Sequence, residues 1–410
     1  MPSLPGGPIV PTLPPATPAA PDLGGTLNRT MHAVNNALRD PVGRPPDDAH
    51  ALARDLNGAR VVRGEALAMA PTEDSLAVAR RLGFTLVRQD RLQPLGLSVA
   101  VLRVPDGMRV SEALAVLRKA DPAGTYDYNH IYDPGGGLDA GAPGTRTPQG
   151  AAGVTRIGMI DAGIDRQHPA LAQVRIETKD FAADRPGPAT AHGTAVASLL
   201  VGQDDDFHGA LRGAALYAAD VYGGQASGGN AEDIARALAW LAAAEIPVTN
   251  ISLSGPPNAL LAAATAAFIA RGHVLVAAVG NDGPAGSVRY PAAYPGVAGA
   301  TSVDAQLRIQ IDANRGPDVA FAARGVDVRA ATSGGGYHDV TGTSFAAPIV
   351  AARFAVLMTG ADSAAAVRAW AALKHAAVDL GVSGRDPIFG YGYLDSPTAA
   401  AAVDQPGSTK

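Results

Sequence analysis

Apolar runs of strand length alternate with helical segments in the C-terminal part of the chain. Helices are predicted over Ala231–Ala243 and Ala259–Ala270, between these runs. Because the runs lack polar alternation, both faces of their sheet are covered, which is typical of a parallel sheet in an α/β domain. The active site of such a sheet lies at the carboxyl ends of its strands. The runs are Arg156–Ile160, Ala215–Val221, Val248–Leu253, Val274–Val279 and Val297–Thr301.

A different order of elements is predicted for residues 60–132. The pattern strand–helix–strand–strand–helix–strand indicates a small α+β unit of the ferredoxin-like kind. Thr72 is the expected cap of its first helix and Ser111 the expected cap of its second. The predicted strands are Glu65–Ala70, Thr85–Gln89, Leu97–Val104 and Thr125–Tyr132, and the first helix covers Pro71–Leu82.

Proline and glycine mark the segments outside these two regions. Residues 1–59 are predicted to be a Pro-rich and partly helical N-terminal extension, with eight prolines between residues 2 and 21. Such a segment favours extended polyproline conformations, and a binding tract for a partner's aromatic groove is the alternative. Residues 133–150 are rich in Gly and Pro, which predicts an exposed, protease-sensitive linker. Residues 401–410 form a tail.

Composition narrows the possible classes of protein. The length of 410 residues predicts one large domain with an additional module. The net charge of −5 argues against nucleic acid and anionic membranes as partners. The absence of cysteine excludes a disulfide framework, a thiol nucleophile and thiolate metal sites. A nucleophile in this chain is then expected to be a hydroxyl, since only four of the 33 basic residues are lysine.

The sequence predicts no membrane-spanning helix, because apolar stretches such as His273–Val279 are far shorter than the roughly 20 residues required. Met1 is followed by proline-rich sequence and not by the basic start and apolar core of a secretory signal. Two expectations stay open at this point. The protein is cytoplasmic, or a signal peptide is missing from this chain.

Two polar residues stand at ends of apolar segments, where an active site is expected. Asp161 ends the first apolar run, and a simple turn aspartate before Gly163 is the alternative interpretation. His192 opens an apolar helical run beside Gly193, a setting in which an imidazole can face a cleft. A structural histidine is the alternative there.

Two further candidates lie at the starts of turns or helices. Ser344 is placed where a loop becomes a helix, with Pro348 expected in the first turn. Free backbone N–H groups at such a start can hold a developing oxyanion, and a plain serine cap is the alternative. Asn281 follows another buried strand, and its amide could donate to the same oxyanion. A turn asparagine before glycine is the alternative for that position.

The four residues form a stronger pattern together than separately. The chain order Asp161, His192, Ser344 is one of three orders known for serine hydrolases. A serine hydroxyl needs a base, which His192 would supply, and Asp161 would fix the tautomer of the imidazole. The Ser344 N–H and Asn281 would hold the oxyanion. An esterase-type hydrolase fits less well, because that class requires Gly-x-Ser-x-Gly and another order. A catalytically silent binding protein is the third class considered.

The segments around these residues closely resemble the subtilisin-like serine proteases, or subtilases, over about residues 151–400. The resemblance implies a three-layer subtilisin fold with a mostly parallel sheet, and endopeptidase activity through an acyl-enzyme. The matching motifs are Ile160-Asp161-Ala162-Gly163-Ile164-Asp165 with His168-Pro169, His192-Gly193-Thr194, Gly280-Asn281, and Gly342-Thr343-Ser344-Phe345-Ala346-Ala347-Pro348.

The resemblance also implies a role for the smaller region. Residues 60–132 are similar to the inhibitory, chaperone-like propeptides of this family, whose last strand leads into the active-site cleft. The linker over residues 133–150 would then contain a self-processing site. Since secreted zymogens are the rule for this arrangement, an extracellular or periplasmic protein with a missing signal peptide is favoured over a cytoplasmic one.

The family pattern further implies which residues bind substrate. Ser252, Leu253, Ser254 and Gly255 are expected to pair with the substrate backbone, and Ala278, Val279 and Gly280 to form the opposite wall of the primary pocket. Ser254 stands where glycine is common, and Arg289 stands near the pocket floor. We therefore expect a preference for small or acidic residues before the scissile bond, with a solvent-facing Arg289 as the alternative.

No cofactor or catalytic metal is expected. Asp204-Asp205-Asp206 invites comparison with the structural calcium sites of many subtilases, but consecutive carboxylates in one turn cannot all face one ion. A solvated surface turn is favoured there. The expected partners are a protein or peptide substrate and the chain's own propeptide, in a monomer.

Overall fold

A computed structural model describes residues 52–134, 137–139, 155–182, 187–224 and 228–395. The predicted extension up to residue 51, the predicted linker from residue 140 and the predicted tail lie outside the described residues. We call residues 52–134 the N-terminal region and residues 155–395 the C-terminal region.

Strands and helices alternate along most of the described chain. The strands are β1 (Leu52–Arg54), β2 (Arg60–Met69), β3 (Thr85–Leu92), β4 (Leu97–Arg103), β5 (Thr125–Pro134), β6 (Gly137–Asp139), β7 (Arg156–Asp161), β8 (Ile176–Asp180), β9 (Ala215–Asp220), β10 (Gly229–Asn230), β11 (Val248–Ile251), β12 (Leu253–Ser254), β13 (Val274–Ala278), β14 (Ala298–Val303), β15 (Val319–Arg324), β16 (Val328–Ala331) and β17 (Tyr337–Thr341). The helices are α1 (Glu73–Arg81), α2 (Val110–Ala120), α3 (Pro169–Ala172), α4 (Ala191–Val201), α5 (Ala231–Ala243), α6 (Ala259–Ala270), α7 (Thr343–Ala355) and α8 (Ser363–Ala376).

The C-terminal region is built on a parallel seven-stranded sheet with the order β15-β14-β13-β11-β7-β9-β8. Helices α4 and α7 contribute to a buried cluster on one face of this sheet, and α5 and α6 to a cluster on the other. The strands carry almost only buried residues, as their unbroken apolar runs predict. The predicted three-layer α/β architecture of this region is therefore confirmed.

The N-terminal region forms an antiparallel sheet with the order β5-β2-β4-β3, and β1 pairs with β2. Helix α1 begins after Thr72, whose side chain accepts a hydrogen bond from the N–H of Ser75. Ser111 is not the cap of α2, because the helix begins one residue earlier, at Val110. Arg109 occupies the cap position, with no side-chain hydrogen bond to the helix.

The two faces of the N-terminal sheet pack against different partners, because successive side chains of a strand point to opposite sides. One face packs on α1 and α2, and this small core includes Ala66, Ala68, Ala100 and Leu102. The other face joins the cluster that contains α5 and α6, through Leu67, Val99 and Val101. The N-terminal region therefore has a core of its own and a second apolar face that covers two helices of the C-terminal region.

The beginning of the predicted linker is not irregular. Strand β5 continues through Asp133 to Pro134, two residues beyond the predicted end at Tyr132. The backbone of Gly137–Asp139 pairs antiparallel with β17. These residues are held as strands because they pair with distant edges of the C-terminal region, an interaction that local composition does not reveal.

Candidate active site

Asp161 lies at the carboxyl end of β7 and is fully buried. Its Oδ1 accepts a hydrogen bond from the N–H of Ala162 at 2.7 Å and lies 2.9 Å from Nδ1 of His192. The alternative interpretation as a simple turn residue does not account for this contact with a residue 31 positions away.

His192 is the second residue of α4, which Thr190 caps by accepting a hydrogen bond from the N–H of Gly193 at 3.0 Å. The helix start lies against the end of β7, and a Cβ on Gly193 would come within 2.5 Å of the carbonyl oxygen of Ala162. Glycine is thus required for the close approach of the two elements. This approach is what brings the His192 ring to Asp161.

The two ring nitrogens of His192 have different surroundings. Nδ1 faces the Asp161 carboxylate, which favours a proton on Nδ1 and leaves Nε2 as a basic nitrogen. Nε2 is buried without a hydrogen-bond partner among the described residues. The ring lies 5.4 Å from that of Phe345, the residue after Ser344. The imidazole of His192 is therefore held beside the start of α7.

Ser344 is the second residue of α7, so its N–H belongs to the first turn and has no partner within the helix. Gly342 occupies the cap position, which excludes the plain serine cap considered above. The Oγ of Ser344 donates a hydrogen bond to the carbonyl oxygen of Ser252 at 3.0 Å. The hydroxyl thus contacts the first residue of the segment Ser252–Gly255, which was expected to bind substrate.

Pro348 has a structural role that the sequence interpretation missed. It lies in the second turn of α7 and not in the first, four residues after Ser344. Because proline lacks an N–H, the carbonyl of Ser344 has no helical donor. The hydroxyl of Ser252 donates to that carbonyl at 2.8 Å, and Asn250 in turn donates to Ser252 at 3.0 Å. This chain of hydrogen bonds ties the start of α7 to the end of β11.

Asn281 follows β13 and reaches the same helix start. Its Oδ1 accepts hydrogen bonds from the N–H of Thr343 at 3.1 Å and from Nε2 of Gln310 at 3.0 Å. Thr343 also accepts a hydrogen bond from the N–H of Gly280 at 3.3 Å through its hydroxyl. The carboxamide of Asn281 is therefore anchored through its oxygen, beside the residue that precedes Ser344.

The two segments expected to form the pocket walls are both hydrogen-bonded to the backbone of Arg289 and Tyr290. The N–H of Arg289 donates to the carbonyl of Val279 at 3.0 Å, and Gly255 and Tyr290 exchange backbone hydrogen bonds at 2.9 and 3.1 Å. Arg289 is half-exposed, and its Nε lies 3.0 Å from Oδ2 of Asp282. The guanidinium of Arg289 is thus partly solvent-facing, and its charge is offset by a neighbouring carboxylate.

Strand β5 of the N-terminal region lies between two short strands of the C-terminal region. Ile131 and Tyr132 pair antiparallel with β10, whereas Asp133 and Pro134 pair antiparallel with β12. The Tyr132 side chain is fully buried, and its hydroxyl donates to the carbonyl of Pro256 at 2.7 Å. The end of β5 therefore occupies the edge where backbone pairing with a peptide was expected.

Polar side chains of the N-terminal region also reach the starts of two helices. Asp127 accepts a hydrogen bond from the N–H of Ala259 at 2.7 Å, at the start of α6, and Asn129 accepts one from the N–H of Glu232 at 3.3 Å, at the start of α5. The fully buried Glu232 carboxylate forms an ion pair with Arg88 of β3. These contacts satisfy donors that a helix start leaves open. No sequence motif pointed to them.

Three carboxylates stand at the ends of neighbouring strands: Asp161 of β7, Asp180 of β8 and Asp220 of β9. Burial raises the pKa of Asp220 to about 6. The hydrogen bonds that its carboxylate accepts from the N–H groups of Tyr222 and Gly223 lower this pKa, but burial has the larger effect. Asp220 is thus a strand-end acid that titrates well above the usual range of an aspartate.

The Asp204-Asp205-Asp206 turn is held by its own backbone. Oδ1 of Asp204 accepts hydrogen bonds from the N–H groups of Asp206 and Phe207, and its other oxygen accepts one from the hydroxyl of Tyr337. Among the described residues, no group of three or more His, Asp or Glu side chains is arranged to hold a metal ion. No helix within the described residues is long and apolar enough to cross a membrane.

A parallel sheet with Asp161, His192 and Ser344 brought towards its carboxyl edge is the arrangement of a subtilisin-like serine peptidase. A family model described as "Subtilase family" matches residues 153–392, and the chain belongs to this family.

Curated relatives agree with this assignment. The chain is 32% identical over 256 residues to the halolysin-like extracellular serine protease Nep of Natrialba magadii, covering 59% of this chain and 47% of Nep. It is 31% identical over 252 residues to subtilisin Savinase of Lederbergia lenta, covering 60% of this chain and 90% of Savinase. The chain spans only 34% of another relative, the minor extracellular protease Epr of Bacillus subtilis. It thus spans less than half of Nep and Epr.

Among solved structures, the fold is similar to that of fervidolysin from Fervidobacterium pennivorans, described as a keratinolytic enzyme related to subtilisin. The TM-score is 0.69 at 19% identity, over 88% of this chain and 62% of fervidolysin. At this identity the likeness concerns the fold alone. It confirms the predicted subtilisin-like fold.

Proposed function

We propose that this protein is a serine endopeptidase in which Ser344 is the nucleophile, His192 the general base and Asp161 the residue that orients His192. The observation that carries the proposal is the 2.9 Å contact between Asp161 and His192 Nδ1, which leaves a buried Nε2 near the start of α7. A serine hydroxyl becomes an effective nucleophile when such a base removes its proton.

The reaction divides into two steps. The Oγ of Ser344 attacks the peptide carbonyl carbon while His192 Nε2 takes its proton, and the oxyanion that forms accepts hydrogen bonds from the Ser344 N–H and the Asn281 amide. Collapse of this intermediate breaks the C–N bond, and His192 returns the proton to the leaving amine. Water then cleaves the acyl-enzyme in the same way. Because the Ser344 hydroxyl donates to Ser252 in the present structure, rotation about its Cα–Cβ bond precedes the first step.

We further propose that the N-terminal region is a propeptide that inhibits the enzyme until it is released. The support is the position of Asp133 and Pro134, which pair with β12 as a substrate backbone would. Gly137 pairs with Thr341, which lies three residues before Ser344 in the sequence. We expect self-processing between Pro134 and Gly137, within the predicted linker.

The pocket supports a preference for small residues before the scissile bond. Ser252–Gly255 and Ala278–Gly280 form its walls, and the Arg289 side chain lies against Gly280, where a Cβ would be 2.8 Å from Arg289 Cγ. The Asp282 carboxylate offsets the charge of Arg289 in this arrangement, so acidic residues gain little from it. An extracellular location is part of the proposal, because the relatives Nep and Epr are described as extracellular proteases.

The decisive experiment compares the wild-type chain with Ser344→Ala. We expect the wild-type chain to convert to a shorter form with a new N-terminus between residues 135 and 137, and to hydrolyse casein. Ser344→Ala should remain full-length and inactive with an unchanged circular dichroism spectrum. Ser363→Ala, also at a helix start, is the matched control and should behave as wild type. Equal processing of wild type and Ser344→Ala would overturn the proposal.

A further inference from the structure

We infer that Gln310 is a positioning residue of the oxyanion site. By donating to Oδ1 of Asn281, Gln310 holds the carboxamide of Asn281 in the one orientation that directs its NH₂ group towards the developing oxyanion. The inference rests on the proposed function and adds to it a residue that belongs to none of the motifs of the chain.

Both lone pairs of Asn281 Oδ1 are occupied. An amide oxygen offers two lone pairs, and in Asn281 they face Nε2 of Gln310 at 3.0 Å and the N–H of Thr343 at 3.1 Å. Rotation of the carboxamide by 180° would place its NH₂ group against these two donors. Such a state loses both hydrogen bonds and opposes donor to donor, so it is strongly disfavoured.

Gln310 is itself buried and fixed by its backbone. Its side chain is buried at 8% exposure, and Oε1 has no hydrogen-bond partner among the described residues. Its backbone is held in place, since its N–H donates to Ser302 at 2.9 Å and its carbonyl accepts from Ala313 at 3.2 Å. Burial of a half-satisfied amide is costly, and the bond to Asn281 is what offsets that cost.

The two donors to Asn281 Oδ1 come from different elements. The N–H of Thr343 belongs to the backbone at the start of α7 and is present whatever the side chains are. Gln310 provides the second donor from a different element, the turn after β14, and only this donor can be removed by substitution. With one donor left, the Asn281 amide is held less firmly, and its NH₂ group spends less time directed at the oxyanion.

The expected size of the effect follows from the donor that Gln310 positions. Loss of one oxyanion donor costs roughly 10²–10³-fold in kcat, a range measured on subtilisin, a member of the same family. Because Asn281 stays in place when Gln310 is changed, we expect about a 10-fold loss of kcat with KM within about twofold of wild type.

The test uses the self-processed enzyme and a peptide p-nitroanilide. Gln310→Met keeps the length of the side chain and removes the donor, whereas Gln310→Glu supplies a donor only when its carboxyl is protonated. We expect the ratio of variant to wild-type kcat to rise as the pH falls from 9 to 5.5 for Gln310→Glu, and to stay flat for Gln310→Met. Gln306→Met, an exposed glutamine of the same turn, is the matched control and should retain wild-type kcat.

A double variant distinguishes positioning from a general structural role. When Asn281→Ala has already removed the donor, Gln310→Met should reduce kcat no further. If Gln310→Met has wild-type kcat, or if its loss persists undiminished beside Asn281→Ala, the inference is wrong. If Gln310→Met does not fold, the pH-dependent ratio of the near-isosteric Gln310→Glu decides the matter. Failure of the proposed function looks different, because the wild-type chain itself would then leave the peptide uncleaved.

Discussion

Asp133 lies directly opposite Ser254 in an antiparallel pair, so the last strand of the N-terminal region uses the edge that a peptide substrate is proposed to use. Backbone pairing of this kind does not depend on sequence, and the side chains that enter neighbouring pockets determine how firmly a segment is held. Tyr132 is the side chain of β5 best placed for that purpose.

We predict that Tyr132→Ala shortens the interval between self-cleavage and the appearance of activity by more than 10-fold. The Tyr132 side chain is fully buried in the cluster shared with the C-terminal region and contributes nothing to the separate core of the N-terminal region. Truncation of such an aromatic side chain costs about 3–5 kcal/mol. Tyr132→Phe keeps the ring and removes the hydroxyl that donates to the carbonyl of Pro256, so it should shorten the interval less than about fivefold. A time course of band conversion and peptide hydrolysis measures both, and an unchanged interval for Tyr132→Ala would contradict the propeptide role.

Asp161→Asn should slow self-cleavage by about 10⁴-fold, because asparagine favours the wrong tautomer of the neighbouring histidine. The readout is the half-time of conversion of the full-length chain. Asp165→Asn is the matched control, since the Asp165 carboxylate accepts hydrogen bonds from loop N–H groups of Gln167 and Gly334. A small effect of Asp161→Asn would exclude the assigned role of the carboxylate.

The ion pair between Arg289 and Asp282 is predicted to set the preference of the enzyme for charged residues before the scissile bond. Asp282→Asn removes the carboxylate beside Arg289, and we expect kcat/KM for glutamate before the scissile bond to rise about fivefold relative to alanine. The effect is modest because both side chains are half-exposed, where a charge interaction is worth at most about 1 kcal/mol. The same pair of substrates measured with Arg289→Gln and with the double variant completes the test. The rise in kcat/KM for glutamate should vanish when Arg289 is replaced by glutamine. A rise that persists in the double variant would show that another group causes it.

The raised pKa of Asp220 predicts that the stability of the protein depends on pH. Burial raises the pKa of its carboxyl to about 6 in the folded state, so the proton is bound more tightly there than in the unfolded chain. The associated stabilisation is complete below about pH 4 and is lost as the pH rises through about 6. Asp220→Asn should therefore raise the free energy of unfolding at pH 8 by at most about 3 kcal/mol, with the difference disappearing near pH 4.

Urea unfolding in the Ser344→Ala background measures this without self-digestion. The exposed Asp205→Asn variant is the control and should parallel the parent at every pH. A stabilisation by Asp220→Asn that is the same at pH 4 and pH 8 would show that ionisation is not its cause.

Local patterns predicted the elements of the C-terminal region well. Helices α5 and α6 have the predicted bounds, because Asn230 and Asn258 cap them at the point where the helical sequences begin. The parallel sheet was predictable because strands covered on both faces lose their polar alternation. Asp161 and His192 were identified from their positions at segment ends, and the structure brings them into contact.

What could not be predicted depends on contacts between distant segments. Asp133 and Pro134 read as linker, since only pairing with β12, about 120 residues away, makes them a strand. Gln310 lies outside every motif, and nothing in its neighbourhood indicates a bond to Asn281. Pro348 was noticed as a helix-start residue, but its effect on the Ser344 carbonyl became apparent only with Ser252 in place.

Asp127 and Asn129 accept hydrogen bonds from the first turns of α6 and α5, so two helices of the C-terminal region are completed by side chains that the proposed processing removes. Under the proposed processing, the mature molecule loses contacts that complete these two helices. We therefore expect it, once unfolded, to refold more slowly and less completely than its precursor. Its working lifetime would then be governed by how fast it unfolds and not by an equilibrium between folded and unfolded chains.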